Sequence, residues 1–295
     1  MNPTSAATGT WPRAVVLLTL AVGLGWLAWP IWSSGTVADS AALKAEAPWV
    51  LAAVTSLLVL LGFVLWTTAG RRLRPFAPAA LLGAAAILTR AALHPGTSGV
   101  EFLYAFPLLA GVVMGGPAGF LTGAAAALLS ALVTDTVAEH LVAQSLVWGL
   151  WGVAGGLLRP LGTATAWAFG ALLSIPLGPL SGLLLNLTSW TGDQSDAGTF
   201  LPGLSPWESA VRLWQYCWET SFAYDLVRGV STCLLLLLIG LPLLRALRRS
   251  HDTRVLPIEP TDADPPAIPP RALARRATAR TIQNMWNPSL GDPDD

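Results

Sequence analysis

The stretch WVLAAVTSLLVLLGFVLWTT, residues 49–68, indicates the fold class of this chain, because it runs for 20 residues without a charged side chain. An α-helix rises about 1.5 Å per residue, so 20 residues match the roughly 30 Å thickness of a bilayer's hydrocarbon core. The apolar residues are continuous and do not alternate with polar ones, which favours helices over the strands of a barrel. The stretch therefore predicts a membrane-spanning helix.

Similar runs occur along most of the chain, and we predict an all-α, polytopic membrane helix bundle of about eight transmembrane helices. The runs cover residues 14–32, 49–68, 76–93, 100–114, 117–133, 141–158, 163–190 and 222–244. The fourth run is short for a span, so it either crosses the membrane or returns as a hairpin with the fifth. Both arrangements leave the later helices on the same side. The first run is long for a signal peptide, so we expect it to be retained.

Composition and motifs restrict the function classes. Hydrophobic residues make up 53% of the chain and charged residues 12%, about half of the roughly 25% that is typical of a soluble domain. The 17 basic and 17 acidic residues cancel, which predicts no nucleic-acid partner. Two cysteines and three histidines give no basis for a disulfide framework or a metal site. Walker A, zinc-protease and serine-hydrolase motifs are missing. We therefore expect no catalytic residue and no cofactor, and a binding or transport function remains.

Basic residues predict the orientation, since cytoplasmic loops carry the excess of Lys and Arg. With the N-terminus inside, only Lys44 and Arg212 lie outside, against eight arginines in the cytoplasm: Arg13, Arg71, Arg72, Arg74, Arg159, Arg245, Arg248 and Arg249. The chain then divides into a cytoplasmic N-terminus (1–13), an N-terminal helical pair (14–74), a membrane core (75–249) with an outer loop (191–221), and a Pro-rich cytoplasmic tail (250–295). The composition of this tail predicts disorder.

Four ionisable residues lie near the outer ends of the predicted helices, where each costs about 2.5–3.5 kcal/mol to insert unless it faces a partner or a cavity. They are Arg90, Glu101, Asp225 and Arg228. Aromatic and amide residues at the same end complete a candidate substrate site: Tyr104, Gln144, Trp148, Asn186, Trp190 and Trp218. The site is interpreted as an outward-facing polar pocket. The alternative is an ion-pair cluster that only fixes helix register.

The outer loop contains the signature of an interfacial helix. Ser205, Pro206 and Glu208 have the spacing of a capping box with proline at the first helical position. An apolar stripe follows, formed by Trp207, Val211, Trp214 and Trp218. This helix is expected either to cover the pocket as a lid or to anchor the loop at the level of the lipid headgroups.

Small residues recur every four positions, which allows helices to approach closely. Gly111, Gly115, Gly119 and Gly123 form one series, and Gly152 with Gly156 repeats the spacing. Ala80 and Ala84 have the same spacing. Packing inside the bundle explains most such motifs, and association with another membrane subunit is the alternative for Ala80 and Ala84.

The chain resembles the substrate-specific (S) components of energy-coupling factor transporters. The resemblance rests on residues 106–158, with the sequence GPAGF at 116–120, Ser130, Gln144 and Trp148, and on residues 221–249, which are similar to the last helix of actinobacterial members. It covers residues 75–249, and the helical pair at 14–68 looks like an N-terminal extension of one subgroup. At 135–140, where similar sequences often carry a loop with Gly and Trp, this chain has Asp135, Glu139 and His140.

The resemblance implies a six-helix core in a bacterial cell membrane that captures a vitamin or related micronutrient from outside. A membrane coupling subunit and two ATPase subunits would supply the energy. Contact with the coupling subunit would fall on Ala80, Gly83 and Ala84, and the subgroup makes corrinoids the leading substrate class. Two alternatives stay open: a stand-alone ion-coupled carrier that uses Asp225, Glu101 and Arg90, and a membrane scaffold without a ligand.

Overall fold

A computed structural model describes residues 9–32, 42, 44–93, 98–134, 136–191 and 198–255. These residues belong to a single unit, Met1–Leu256. Every regular element within the described ranges is helical, so the all-α prediction is confirmed there. Residues 1–8, Asp135 and the tail beyond Val255 lie outside the described residues, as do the predictions that concern them.

Eleven α-helices are defined within the described ranges, and short 3-10 and π segments join some of them. The α-helices are α1 (Thr10–Leu27), α2 (Trp29–Trp32), α3 (Ala47–Thr68), α4 (Ala77–Leu93), α5 (Ala105–Met114), α6 (Gly116–Ser130), α7 (Ala138–Leu157), α8 (Thr163–Asn186), α9 (Pro206–Thr220), α10 (Phe222–Leu235) and α11 (Leu241–Val255). A 3-10 turn, Arg74–Phe76, leads into α4, and a π-helical segment, Leu236–Gly240, joins α10 to α11.

Five of the described helical segments are long and apolar enough to cross a membrane: Thr10–Leu27, Ala47–Thr68, Arg74–Leu93, Thr163–Asn186 and Phe222–Asp252. Their outward sides carry large apolar residues, such as Phe63, Leu88, Phe169 and Leu238, which are each more than half exposed. Such surfaces belong in lipid, because a soluble protein rarely leaves large contiguous apolar patches in water. The chain is therefore a multi-pass, membrane-embedded protein.

The shorter helices α5 and α6 lie at the centre of the bundle with α7. Nine of the ten residues of α5 are buried, and Phe106 is the exception. Helix α6 is buried along most of its length, as are Trp148 and Trp151 of α7. The three helices form the core around which the longer, lipid-exposed helices pack.

Glycines let α5, α6 and α7 approach until their backbones touch. A Cβ atom at Gly111 would collide with the carbonyl oxygen of Gly152, and one at Gly152 would collide with the backbone of Gly119. A Cβ atom at Gly123 would likewise collide with the carbonyl group of Trp148. The prediction that these small residues mark close helix contacts is confirmed, and these contacts lie inside the bundle.

The chain passes back and forth between two ends of the bundle. Helix α4 starts at the end marked by the 3-10 turn at Arg74 and finishes near Arg90. Helix α11 returns to the first end, where Arg248 donates hydrogen bonds to the carbonyl oxygens of Arg159 (3.3 Å) and Leu161 (3.1 Å). At the opposite end, His140 in the first turn of α7 contacts Thr188, just after α8, at 2.8 Å.

Several helix boundaries differ from those predicted. The fourth run yields a helix only from Ala105. Positive φ angles at Ser98 and Gly99 (49° and 89°) turn the chain before the run, and the backbone N–H and C=O of Glu101 are hydrogen-bonded to side chains of α10. The composition change at Ser250 does not end the last helix, which continues to Val255. The first run is divided at Ala28 into α1 and α2. Turns and tertiary contacts, and not hydrophobicity, place these boundaries.

Candidate functional site

Four ionisable side chains from three segments meet at one end of the core. Arg228 of α10 donates from Nε to Glu101 Oε2 (2.8 Å) and from Nη1 to Asp225 Oδ1 (2.5 Å). Arg90, near the end of α4, lies 3.8 Å from Glu101 through Nη1. The exposed fractions of the side chains are 13% for Arg90, 12% for Glu101, 4% for Asp225 and 6% for Arg228. We call these four residues the charged cluster; its formal charges sum to zero.

Backbone contacts explain why these side chains meet. A Cβ atom at Gly182 of α8 would occupy the position of the Asp225 carboxylate, and one at Gly178 would collide with the Asp225 carbonyl oxygen. The positive φ of Gly99 turns the segment before α5 so closely against α10 that a Cβ atom there would collide with the Tyr224 carbonyl oxygen. Glycines on two segments therefore bring α8 and Glu101 against the first turns of α10.

Hydroxyl groups of α10 hold the backbone of Glu101. Ser231 Oγ accepts a hydrogen bond from the Glu101 amide (3.2 Å), and Thr232 Oγ1 donates to the Glu101 carbonyl oxygen (3.0 Å). Neither Ser231 nor Thr232 is among the predicted site residues. The available signal was their position three and four residues after Arg228, which places them one turn further along the same helix.

Tyr104 joins the charged cluster to the tryptophans of α7. Its ring is 1% exposed and lies 5.6 Å below the guanidinium carbon of Arg228. It packs edge-to-face on Trp148 at 6.1 Å and lies 4.9 Å from Trp151. The guanidinium carbon of Arg90 lies 5.8 Å from the centre of the Trp148 ring. Stacking of cations on these rings compensates part of the cost of burying two arginines.

A second polar branch leads from the charged cluster to α8 and α9. Asn186 Nδ2 donates to Ser221 Oγ at 2.7 Å, and Ser221 Oγ donates to Asp225 Oδ2 at 2.7 Å. The same amide contacts the sulfur of Cys217 at 3.2 Å. Burial raises the pKa of the Cys217 thiol. Asn186 therefore connects the end of α8 to the first turn of α10.

Gln144 lies one helical turn before Trp148 on α7, and its Oε1 atom is buried without a hydrogen-bond partner. The same is true of Nε of Arg90. Nε1 of Trp148 makes no hydrogen bond of good geometry, although the Tyr104 hydroxyl lies close enough to interact with it. Trp151, one turn further on, differs because its indole nitrogen donates to Ser181 Oγ at 2.8 Å. The described site thus contains both a satisfied network and polar atoms without a protein partner.

Two predicted site residues lie away from the charged cluster. The Trp190 indole is fully buried, donates to the Gly198 carbonyl oxygen (2.7 Å) and packs on Phe200. Trp218 is 56% exposed and stacks on Phe222 at 4.3 Å. The structure therefore gives these tryptophans contacts within the outer loop and at the start of α10.

The predicted capping box of the outer loop is confirmed. The Glu208 amide donates to Ser205 Oγ at 3.3 Å, and the Ser205 amide donates to Glu208 Oε2 at 3.0 Å. Hydrogen bonds from Ser205 hold the pKa of the exposed Glu208 carboxyl below its usual range. These reciprocal hydrogen bonds fix the start of α9 at Pro206.

Helix α9 turns its tryptophans away from the bundle. Trp207, Trp214 and Trp218 are 77%, 53% and 56% exposed. Leu213, Tyr216 and Cys217 form the buried side of α9. The apolar stripe therefore does not cover the charged cluster, which favours the anchoring interpretation over the lid.

The predicted partner residues line an apolar groove on the side of the bundle. Ala80 and Ala84 are exposed and form its floor with Gly83. Residues of α3 and α6, including Trp66 and Leu121, form its walls, and its volume is about 440 Å³. Small residues here leave a recess in a surface that otherwise bears large apolar side chains.

Lys44 and Glu139 lie near the loop in which the sequence departs from the pattern of the resembling family. Their charged groups are 3.9 Å apart. Among the described residues, no group of three or more His, Cys, Asp or Glu side chains is arranged to hold a metal ion.

Comparison of the chain with protein-family models, curated proteins and solved structures gave no match.

Proposed function

We propose that this chain is the substrate-binding membrane subunit of an energy-coupling-factor-type importer. It captures a vitamin-like micronutrient, with corrinoids as the leading class, from outside the bacterial cell membrane. A membrane coupling subunit and two ATPase subunits drive the uptake. The single observation that carries this proposal is the buried polar site at one end of a membrane bundle, with three polar atoms that make no hydrogen bond of good geometry within the protein. Unpaired polar atoms are costly in a membrane interior, so a ligand is a physical reason to retain them.

The orientation in this proposal has both termini in the cytoplasm. It places the charged cluster at the outer end and the Arg159–Arg248 contact at the inner end. The arginine distribution supports this arrangement through the positive-inside rule. The helices then form a spanning N-terminal pair and a six-segment core in which α5 and α6 cross at the centre, for eight transmembrane segments in total.

The groove over Ala80, Gly83 and Ala84 is the proposed docking site for the coupling subunit. Without a hydrophobic driving force between helices in lipid, close backbone approach over small residues is what stabilises their association. The recess has room for the ridge of a partner helix. It lies on the side of the bundle, apart from the charged cluster, so substrate capture and coupling use separate surfaces.

The test is co-purification of the tagged chain with a coupling module expressed beside it. Ala80→Leu combined with Ala84→Leu fills the groove, and we expect at least a tenfold loss of the recovered coupling subunit. Ala85→Leu, on the same helix between the lipid-facing Leu81 and Leu88, is the matched control and keeps full recovery. Equal recovery with the groove-filling pair would contradict the docking site.

An ion-coupled carrier is the competing function. In the structure both of its candidate carboxylates, Glu101 and Asp225, are held by the Arg228 guanidinium, so neither is free to take up an ion. Vesicles that contain this chain alone distinguish the two functions. We expect no uptake from them in response to a proton gradient, and uptake that an uncoupler abolishes would replace our proposal with the carrier.

A further inference from the structure

Five buried side-chain polar atoms without a hydrogen-bond partner occur among the described residues, and three of them gather at the candidate site. These are Nε of Arg90, Oε1 of Gln144 and Nε1 of Trp148. The other two, Nε1 of Trp26 on α1 and Nδ1 of His251 on α11, lie on other helices. A buried donor or acceptor without a partner costs free energy, so three at one place require an explanation.

The three side chains are neighbours in the fold. Gln144 and Trp148 are one turn apart on α7, and side chains with this spacing lie on the same helix face. The guanidinium carbon of Arg90 lies over the Trp148 ring, 5.8 Å from its centre. Together the three side chains offer two donors and one acceptor.

The surrounding charges argue against an anionic ligand. Arg228 is occupied by both carboxylates, and the Nη1 side of Arg90 faces Glu101. The charged cluster is already neutral, so a ligand carboxylate would add an unbalanced negative charge next to Glu101 in a buried setting. A ligand cation would face Arg90 and the indole N–H of Trp148, which can only donate. A neutral group avoids both costs.

We propose that this site recognises an uncharged amide-type group, such as a carboxamide, lactam or ureide. Its carbonyl oxygen accepts hydrogen bonds from Arg90 Nε and Trp148 Nε1, and its N–H donates to Gln144 Oε1. The proposal rests on the proposed function, since it names the chemical class of the substrate that the same site binds. It adds that a substrate with a carboxylate at this position is rejected.

Matched probe pairs test this chemistry directly. In each pair one member carries an amide where the other carries a carboxylate. The pairs are nicotinamide with nicotinate, biotinamide with biotin, and cyanocobalamin with one of its monocarboxylic acid derivatives. We expect at least one amide member to bind the detergent-purified full chain at least tenfold tighter than its carboxylate partner, measured by titration calorimetry. A carboxylate member that binds as tightly or more tightly overturns the proposal, and so does failure of every pair to bind.

Trp148→Phe removes the indole donor and is expected to weaken binding of the preferred amide at least tenfold, without a comparable effect on the carboxylate member. Trp26→Phe is the matched control, because it also removes a buried, unpartnered indole N–H but lies on α1. Its affinity for the amide should stay within about threefold of the parent. Equal loss in both variants, or loss in neither, contradicts the assigned contacts.

Gln144→Leu provides a readout that needs no ligand. It replaces an unpartnered acceptor with an apolar group of similar size, so the melting temperature of the ligand-free chain should rise by about 2 °C or more. A fall in melting temperature would show that Gln144 has a partner within the protein and would overturn the proposal. Co-purification with the coupling module does not depend on this site, so failure here is distinguishable from failure of the proposed function.

Discussion

Arg228 and Glu101 together organise the charged cluster, because each of them contacts two members of opposite charge. Arg228 bridges Asp225 and Glu101, and Glu101 bridges Arg228 and Arg90. Removing one partner of a buried ion pair is more damaging than replacing the pair, since an uncompensated charge is left in a medium of low dielectric constant. Loss of the Glu101 charge would leave Arg90 without its carboxylate partner and Arg228 with Asp225 alone.

We predict that Glu101→Gln destabilises the chain by about 3 kcal/mol, because it unbalances the cluster. Combining it with Arg90→Met should recover part of that loss, since the double variant is neutral again. Thermal unfolding of the detergent-purified chain measures both effects. Glu219→Gln, on the exposed side of α9, is the control and should change little. A double variant less stable than Glu101→Gln would argue that Arg90 stabilises the fold by packing alone.

The predicted site residues differ in how the structure uses them. Ionisable residues inside membrane helices need partners, which predicts that Arg90, Glu101, Asp225 and Arg228 meet at one end, and the structure brings them together. Trp190 and Trp218 are predicted site residues only because they lie at the same end of the helices. Tryptophan also suits membrane interfaces and loop cores, so its presence near a site does not distinguish binding from packing.

At the scale of helices, α5, α6 and α7 depend on glycine contacts. The backbones of Gly119 and Gly152 meet so closely that neither position has room for a side chain. In an ordinary helix a glycine costs about 1 kcal/mol relative to alanine, and here that cost is offset by the close packing that it permits.

We predict that Gly152→Ala destabilises the chain by about 1–3 kcal/mol through overpacking, in spite of the better helix propensity of alanine. Gly25→Ala is the matched control, because nothing beyond its own stretch of helix lies within 4 Å of the position that its Cβ would occupy. The control should be neutral or slightly stabilising. Melting temperatures of the two variants provide the comparison, and a Gly152→Ala chain as stable as the control would show that α6 and α7 can separate at no cost.

Much of the helix pattern could be predicted from the sequence, because hydrophobicity over about 20 residues is a local property. The capping box of α9 was also predictable, since Ser205 and Glu208 act on their own helix end. The start of α5 at Ala105 was not. It depends on the turn at Ser98 and Gly99 and on their fit against α10, and these are tertiary contacts between distant parts of the chain.

For the whole molecule, the proposed orientation determines which side the substrate comes from. We predict that a fluorescent-protein fusion after residue 255 fluoresces in intact bacteria, as expected for a cytoplasmic end. The same reporter inserted after Gly203, in the loop before α9, should be dark, whereas alkaline phosphatase inserted there should be active. The reverse pattern would place the charged cluster inside the cell and would rule out capture from outside.

Local sequence alone was sufficient to predict an all-helical membrane protein with ionisable groups at one end of its helices and small residues at its helix contacts. Hydrophobic length, charge and residue size act over a few turns, so they can be deduced without knowing neighbouring helices. The identity of each ion pair, the outward-facing tryptophans of α9 and the unpartnered atoms of Arg90, Gln144 and Trp148 emerged only from the folded arrangement. They depend on the rotation and separation of the helices. Backbone contacts between residues far apart in the chain determine both.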